Sequence, residues 1–107
     1  MNSKLMEVEK LARKVDLHRD ICADLTTIYE KKNHDYGDAF SKSFEEWGMP
    51  MACIRMGDKL NRLKALCKDE AKVAESVADT LLDLANYAIM TVIELTEQND
   101  EGELNYV

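Results

Sequence analysis

Helix-breaking residues are scarce in this sequence, and their scarcity limits the folds that the chain can adopt. The 107 residues include one proline, Pro50, and four glycines, whereas Ala, Leu, Met, Glu and Lys are plentiful. These abundant residues have high helix propensity, while proline and glycine interrupt helices. The composition therefore predicts an all-α fold.

Apolar spacing predicts the first two helices. Steps of three, four and seven residues over about 3–32 indicate a long amphipathic helix, which we expect to end in a loop at "KKNHDYGD". The stretch "SKSFEEWG" reads as a short helix opened by Ser41 or Ser43 and closed by Gly48.

Two further long helices follow. Pro50 is expected to begin a helix that reaches about Lys68, and the last helix is expected over about residues 72–98. The connections are short, so neighbouring helices should pack antiparallel in a bundle of three long helices and one short helix. One side of the third helix carries an apolar stripe: Met56, Leu60, Leu63 and Cys67.

The length and the apolar last helix together predict the domain organisation. Residues 1–98 are expected to form a single helical domain, and residues 99–107 an acidic and flexible tail. A chain this short buries only part of its apolar surface alone, so a homodimer or larger homo-oligomer is expected.

Charge and cysteine usage narrow the classes of partner. The net charge of −7 argues against binding to a nucleic acid polymer, which needs clustered cations, but leaves a small phosphorylated ligand possible. No uninterrupted apolar run approaches the roughly 20 residues that span a bilayer, so no membrane partner is expected. Cys22, Cys53 and Cys67 are odd in number and widely spaced, which predicts buried thiols in a cytoplasmic protein.

The stretch "ESVADTLLDLANYA" of the last helix places acids at successive four-residue steps. At 100° per residue, Glu75, Asp79 and Asn86 fall within about 40° of one another, at the edge of the apolar half, and Asp83 points further outward. One interpretation is a solvated edge with salt bridges to other helices. The other is a site for Mg²⁺, which prefers carboxylate oxygens.

The third helix offers matching polar residues in "RMGDKLNRLK". Asp58 and Asn61 lie about one turn apart, with Arg55 and Arg62 on either side. They fit a solvated face on which Asp58 pairs locally with Arg62.

Alternatively, Asp58 joins the acids of the last helix as a third metal ligand. The two arginines and Lys59 would then neutralise the charge of phosphate oxygens. The two interpretations require different burial of Asp58.

Two more groups have both a structural and a functional interpretation. Asn33, Asp35 and Tyr36 belong to a predicted turn and are also candidates for substrate binding, because loops beside a cleft commonly carry specificity. The methionines near Trp47 are either core residues or the lining of a base pocket. They are Met49, Met51 and Met56.

Three motifs in order, "KNHDYGDAF", "DKLNRLKAL" and "ESVADTLLDLANYAIM", resemble the small helical family called nucleotide modification associated domain, type one. The resemblance covers roughly residues 28–95. Members of that family are often found in phages and bacteria. It implies a helical fold and a role connected with nucleotides.

A more distant resemblance is to the all-α nucleoside triphosphate pyrophosphohydrolases of the MazG and dimeric dUTPase type, whose ExxE and ExxD helices hold Mg²⁺. Glu75, Asp79 and Asn86 match the outer Glu, the Asp and the Asn of the second pattern, while Ser76 replaces its inner Glu. On the helix that corresponds to the ExxE pattern, Asp58 and Asn61 replace both Glu residues.

This second resemblance implies a Mg²⁺-dependent protein that cleaves a nucleoside triphosphate to the monophosphate and pyrophosphate. It implies the same residues for catalysis and for metal binding: Asp58, Glu75 and Asp79. The candidates for substrate binding are Asn33, Asp35, Tyr36, Arg55, Lys59, Asn61, Arg62 and Asn86. A nucleotide-binding module without catalysis and a purely structural helical partner protein are the alternatives.

Overall fold

A computed structural model of the protein describes residues 3–68 and 73–99, and in the last helix it describes side chains from Ser76 onward. The described part contains four helices and no strand: α1 (Ser3–Tyr36), α2 (Ala39–Trp47), α3 (Met49–Leu66) and α4 (Val73–Glu97). The all-α prediction is confirmed, as are three long helices and one short one.

The chain divides into two compact units. The first ends at Asp35 and contains nearly all of α1, and the second begins at Tyr36 and contains α2, α3 and α4. Leu25 is the buried residue of α1. The single domain over residues 1–98 stays a prediction, and the predicted tail beyond Asn99 lies outside the described residues, as does the connection at 69–72.

The end of α1 differs from the sequence-based prediction. The helix continues through Asn33 to Tyr36, and the chain turns at Gly37 and Asp38, both with φ of 59°. Left-handed backbone is free of steric cost for glycine and tolerated by aspartate, so these two residues make the turn. The predicted loop at residues 31–36 is therefore helical.

The start of α2 also differs, whereas its end is as predicted. The helix begins at Ala39 after Asp38, whose side chain makes no capping hydrogen bond, so neither predicted serine is the cap. At the other end Gly48 has φ of 68° and its N–H donates to the Phe44 carbonyl at 2.8 Å. Pro50 occupies the first turn of α3, where a missing N–H costs nothing.

The core of the second unit forms where α2 meets α3. Phe44, Met51 and Ala52 are buried, and Phe40 and Met56 pack against them. The Phe40 ring stacks on Phe44 at 6.3 Å between centroids and contacts Tyr87 of α4 at 5.9 Å. Met51 and Met56 are therefore core residues. Trp47 and Met49 are exposed.

Helices α3 and α4 pack against each other and run antiparallel. Leu66 and Val73 are separated by six residues, too few to return along the length of α3, which is about 27 Å at 1.5 Å per residue. Two contacts agree with this direction. Lys59 binds Asp83 near both helix centres, and Ser41 of α2 donates to Glu94 near the end of α4.

The rotation of α4 leaves part of its apolar half exposed in this chain. Thr80 and Thr91 are buried and donate to backbone carbonyls four residues earlier, at 2.7 Å each. Leu81, Ile89 and Leu95 remain 44–46% exposed. Asp83, Tyr87 and Glu94 are among the residues of α4 that contact α2 and α3, and their four- and seven-residue steps place the mixed face inward.

Some residues of α3 and all three cysteines also differ from their predicted burial. Leu60 and Cys67 of the predicted stripe are exposed, while Ala52, Met56 and Leu63 lie at least partly buried. All three cysteines are exposed, which corrects the prediction of buried thiols.

The segment Ser76–Glu97 of α4 is long and apolar enough to cross a membrane, since its most apolar window of 18 residues has a mean hydropathy of 1.2. It is weak evidence for a span, because core helices of soluble proteins meet the same criterion. Only 11% of its most apolar window is buried. A cytoplasmic location stays a prediction.

Phe44→Ala should reduce the free energy of unfolding by about 3–5 kcal/mol, because it removes the most buried aromatic ring of the core. Urea unfolding followed by circular dichroism measures the change. Trp47→Ala is the matched control, since that ring is 65% exposed and its loss should cost less than about 1 kcal/mol. Equal losses for the two variants would contradict this description of the core.

Candidate functional site

The predicted acidic edge of α4 is only partly exposed. Asp79 is exposed and forms no ion pair within the described residues, whereas Asn86 is 9% exposed. Glu75 lies on the same helix, but its side chain is outside the described part. Of the three predicted site residues on α4, Asp79 therefore lies in solvent and Asn86 is buried.

Asp83 has a different role from the predicted one. Its carboxylate accepts a hydrogen bond from Lys59 Nζ at 3.0 Å, and the side chains of Lys59 and Asp83 are 27% and 33% exposed. The prediction that Asp83 points outward is therefore wrong. Lys59, a candidate phosphate-binding residue, is held by this carboxylate in the structure.

The remaining candidates on α3 are all exposed. Arg55, Asp58 and Arg62 follow one another at steps of three and four, as residues on one helix edge do. The predicted ion pair between Asp58 and Arg62 is not formed. Asn61 is exposed but points to another side of α3, since it lies about 200° from Lys59.

The Lys59–Asp83 contact allows the two edges to be compared. Around the axis of α3, three residues are rotated away from Lys59 in the direction opposite to the helical progression. The rotation is about 40° for Arg55, 60° for Arg62 and 100° for Asp58. Around the axis of α4, Asp79 is rotated from Asp83 by about 40° and Asn86 by about 60°, both in the same sense.

In antiparallel helices, equal rotation away from the contact leads to the same side of the pair. The residues of both helices therefore flank one side, which we call the charged side. It consists of Arg55, Asp58 and Arg62 on α3 and Asp79 and Asn86 on α4. The backbone position of Glu75, rotated by about 80° from Asp83, belongs to it as well.

The three candidates from the turn region lie elsewhere in the chain. Asn33 is half-buried and Asp35 exposed, both in the first unit, and Tyr36 is 71% exposed at the start of the second. His34 Nδ1 and Asp35 Oδ1 are 3.5 Å apart on the exposed surface. All three candidates lie in the last turns of α1, so they are helical residues and do not form a loop.

The described side chains do not by themselves form a metal site. No three His, Cys, Asp or Glu side chains within the described part are close enough together to hold an ion. Asp58 and Asp79 supply two carboxylates to the charged side, and the third predicted ligand, Glu75, has a side chain outside that part. A cation held here would have two carboxylates available from the described residues.

Sequence reasoning missed the polar contacts that orient α4. Ser41 Oγ donates to Glu94 Oε1 at 2.8 Å, and Lys59 binds Asp83. The signal that could have found them is the spacing of Asp83, Tyr87 and Glu94, which share one face at steps of four and seven. Apolar content alone favours the opposite face of the same helix.

Comparison with known proteins gives one match. Residues 32–95 match the family described as nucleotide modification associated domain 1. The match spans more than half of the 107 residues and includes every residue of the charged side. Neither the curated proteins nor the solved structures contain a match to the chain.

A double-mutant cycle of Lys59→Met and Asp83→Asn should give a coupling energy of about 1 kcal/mol in the free energy of unfolding, since both groups are about two-thirds buried. Arg19 and Asp16 on α1 are the control pair, because their side chains are 73% and 72% exposed at 3.2 Å. Their cycle should give less than about 0.5 kcal/mol. A Lys59–Asp83 coupling no larger than the control would show that this contact does not orient the helices.

Proposed function

We propose that this protein, which belongs to the nucleotide modification associated domain 1 family, binds a nucleotide or related small phosphorylated ligand along the charged side of the α3–α4 pair. The observation that carries the proposal is the shared side itself. Two arginines and two aspartates from separate helices flank one surface, and all four are exposed.

The arginines supply the chemistry for phosphate. Guanidinium groups donate paired hydrogen bonds to phosphate oxygens, and Arg55 and Arg62 are both exposed without a carboxylate partner among the described residues. Lys59 can contact a phosphate only if its ion pair with Asp83 breaks, so we assign it a smaller contribution to binding. The local cations explain how a chain of net charge −7 could hold an anionic ligand.

The aspartates support a role for a divalent cation. Asp58 and Asp79 are exposed carboxylates on the same side, and Mg²⁺ commonly binds through one or two carboxylates together with substrate phosphates. When bound, such an ion would neutralise phosphate charge. Glu75 is the proposed third ligand by its position on α4.

Catalysis is the stronger form of the proposal. The resemblance to MazG-type enzymes supports cleavage of a nucleoside triphosphate to the monophosphate and pyrophosphate, with Asp58, Glu75 and Asp79 as the reacting site. Ser76 and Asn61, which replace carboxylates of that pattern, favour a binding module without turnover. Incubation with each deoxynucleoside triphosphate and Mg²⁺, followed by chromatography, decides between them: pyrophosphate indicates the enzyme, and unchanged triphosphate that still binds indicates the module.

Arg62→Gln should weaken nucleotide binding about tenfold or more, because a charge-assisted hydrogen bond contributes roughly 1.5–3 kcal/mol. Isothermal titration with nucleoside mono- and triphosphates in Mg²⁺ measures the dissociation constant. Lys64→Gln is the matched control: it removes an exposed cation two residues away, on another side of α3. Equal effects of the two changes would mean that general charge, and not the charged side, attracts the ligand.

Asp79→Asn should abolish most of the rise in melting temperature that Mg²⁺ produces in the wild-type protein. An ion that binds the folded state stabilises it by mass action, and removing a ligand weakens that effect. Thermal unfolding at increasing MgCl₂, compared with NaCl at equal ionic strength, gives the measurement. Glu46→Gln on α2, also an exposed acid, should keep the full Mg²⁺ response. A wild-type protein that does not respond to Mg²⁺ would remove the cation from the proposal.

A further inference from the structure

Three cations follow one another along α3, and the middle one is paired with a carboxylate of α4. Arg55, Lys59 and Arg62 are separated by steps of four and three, so Lys59 lies one helical turn from each arginine. We call these three residues the cation row, which spans about 10 Å at 1.5 Å per residue. Lys59 is bound to Asp83, whereas the two arginines form no ion pair among the described residues.

The ion pair between Lys59 and Asp83 is open to solvent on one side. The two side chains are 27% and 33% exposed. Breaking a fully buried pair is strongly destabilising, because it leaves an unpaired charge in a low dielectric, whereas a pair in contact with water is weak. Water can solvate the Asp83 carboxylate once Lys59 leaves it. The pair can therefore open while α3 and α4 stay folded.

A carboxylate and a phosphate group compete for the same donor at this position. Both accept charge-assisted hydrogen bonds from an ammonium group, and Lys59 Nζ donates to Asp83 Oδ2 at 3.0 Å. The lysine stem is flexible, so Nζ can turn from α4 toward the neighbouring arginines. Two anions bound to one ammonium group would repel each other at close range, which favours exchange over sharing.

We propose that Asp83 is an internal competitor for Lys59, and that a ligand with several phosphate groups displaces it and takes Lys59 into the cation row. The proposal rests on the proposed function, because it concerns the ligand of the charged side. It makes Asp83 a residue that determines affinity and specificity without contacting the ligand.

The competition selects for a chain of phosphate groups. Asp83 belongs to the same molecule as Lys59, so it competes at a high effective concentration. A single phosphate group offers Lys59 one anionic partner in exchange for another. A chain of phosphate groups contacts Lys59 and both arginines together, and the contacts with the arginines compensate for the lost ion pair. The ligand class is therefore a nucleoside triphosphate or another polyphosphate, in preference to a monophosphate.

Asp83→Asn should tighten the binding of inorganic tripolyphosphate roughly fivefold, the change that corresponds to the coupling within a partly exposed ion pair. Isothermal titration measures the dissociation constant. Glu94→Gln is the matched control, because it also removes a partly buried carboxylate of α4, one that accepts a hydrogen bond from Ser41. Glu94 lies about 16 Å from Asp83 along the helix, beyond the Debye length of about 8 Å, so its change should alter affinity less than about twofold.

The same substitution in a Lys59→Met background separates competition from general charge. Without Lys59 there is nothing to compete for, so Asp83→Asn should tighten binding clearly less than it does in the wild-type background. Equal gains in both backgrounds would show that Asp83 merely repels the ligand, and would overturn the proposal.

The titrations also distinguish failure of this proposal from failure of the proposed function. A wild-type protein that binds neither tripolyphosphate nor any of the four deoxynucleoside triphosphates would overturn both. A wild-type protein that binds them, with Asp83→Asn no tighter than Glu94→Gln, would overturn the competition alone.

A crystal structure of the wild-type protein with tripolyphosphate keeps the proposal testable if Asp83→Asn does not fold. Lys59 Nζ should lie within about 3 Å of a phosphate oxygen and more than about 4 Å from the Asp83 carboxylate. A Lys59–Asp83 contact still at 3.0 Å beside the bound tripolyphosphate would overturn the proposal.

Discussion

The contact between Lys59 and Asp83 shows how both central helices present their side chains. It joins the middle of α3 to the middle of α4 at 3.0 Å, and each group is about two-thirds buried. Because a helix turns about 100° per residue, fixing one inward residue fixes the direction of all the others. The inward direction of Asp83 places Asp79 on one side of the pair and Leu95 on the other.

A consequence of this rotation is that α4 buries its less apolar face. Thr80 and Thr91 can be buried at small cost because their hydroxyls donate to carbonyls within the helix. Glu94 and Asp83 likewise meet donors from α2 and α3. The inward polar groups that these contacts describe therefore have partners.

The helices and their order could be predicted from the sequence, but their rotation could not. Gly48 and Pro50 interrupt a strongly helical composition and give the α2–α3 boundary correctly. The end of α1 was missed because Asn33 tolerates left-handed backbone without requiring it, and the turn uses Gly37 and Asp38. Rotation could not be predicted because the contacts that accompany it, Lys59 with Asp83 and Ser41 with Glu94, join residues that are far apart in the sequence.

The candidate site was predictable to a similar extent. Asp79, Asn86 and the α3 residues Arg55, Asp58 and Arg62 lie toward one side of the helix pair, and their role in binding stays a prediction. Asn61, predicted with them, lies on another side of α3. Lys59 was assigned to phosphate because its partner Asp83 lies 24 positions away, beyond the reach of spacing arguments within one helix. All three motifs that suggested the family lie within the matched residues 32–95. Family membership connects the chain with nucleotides, and only contacts between helices could show which side is exposed to them.

Paramagnetic broadening by Mn²⁺ in the presence of a nucleotide tests directly whether the charged side binds the nucleotide together with a divalent cation. In ¹H–¹⁵N spectra of the labelled protein, Mn²⁺ replaces Mg²⁺ and broadens amides close to the bound ion. With the nucleotide present, we expect the amide signals around Asp58, Arg62 and Asp79 to disappear first, while the signals around Leu60 and Leu95 broaden later. Broadening confined to the acidic positions of α1, or spread evenly over all exposed acids, would show that the charged side of α3 and α4 does not bind the ligand.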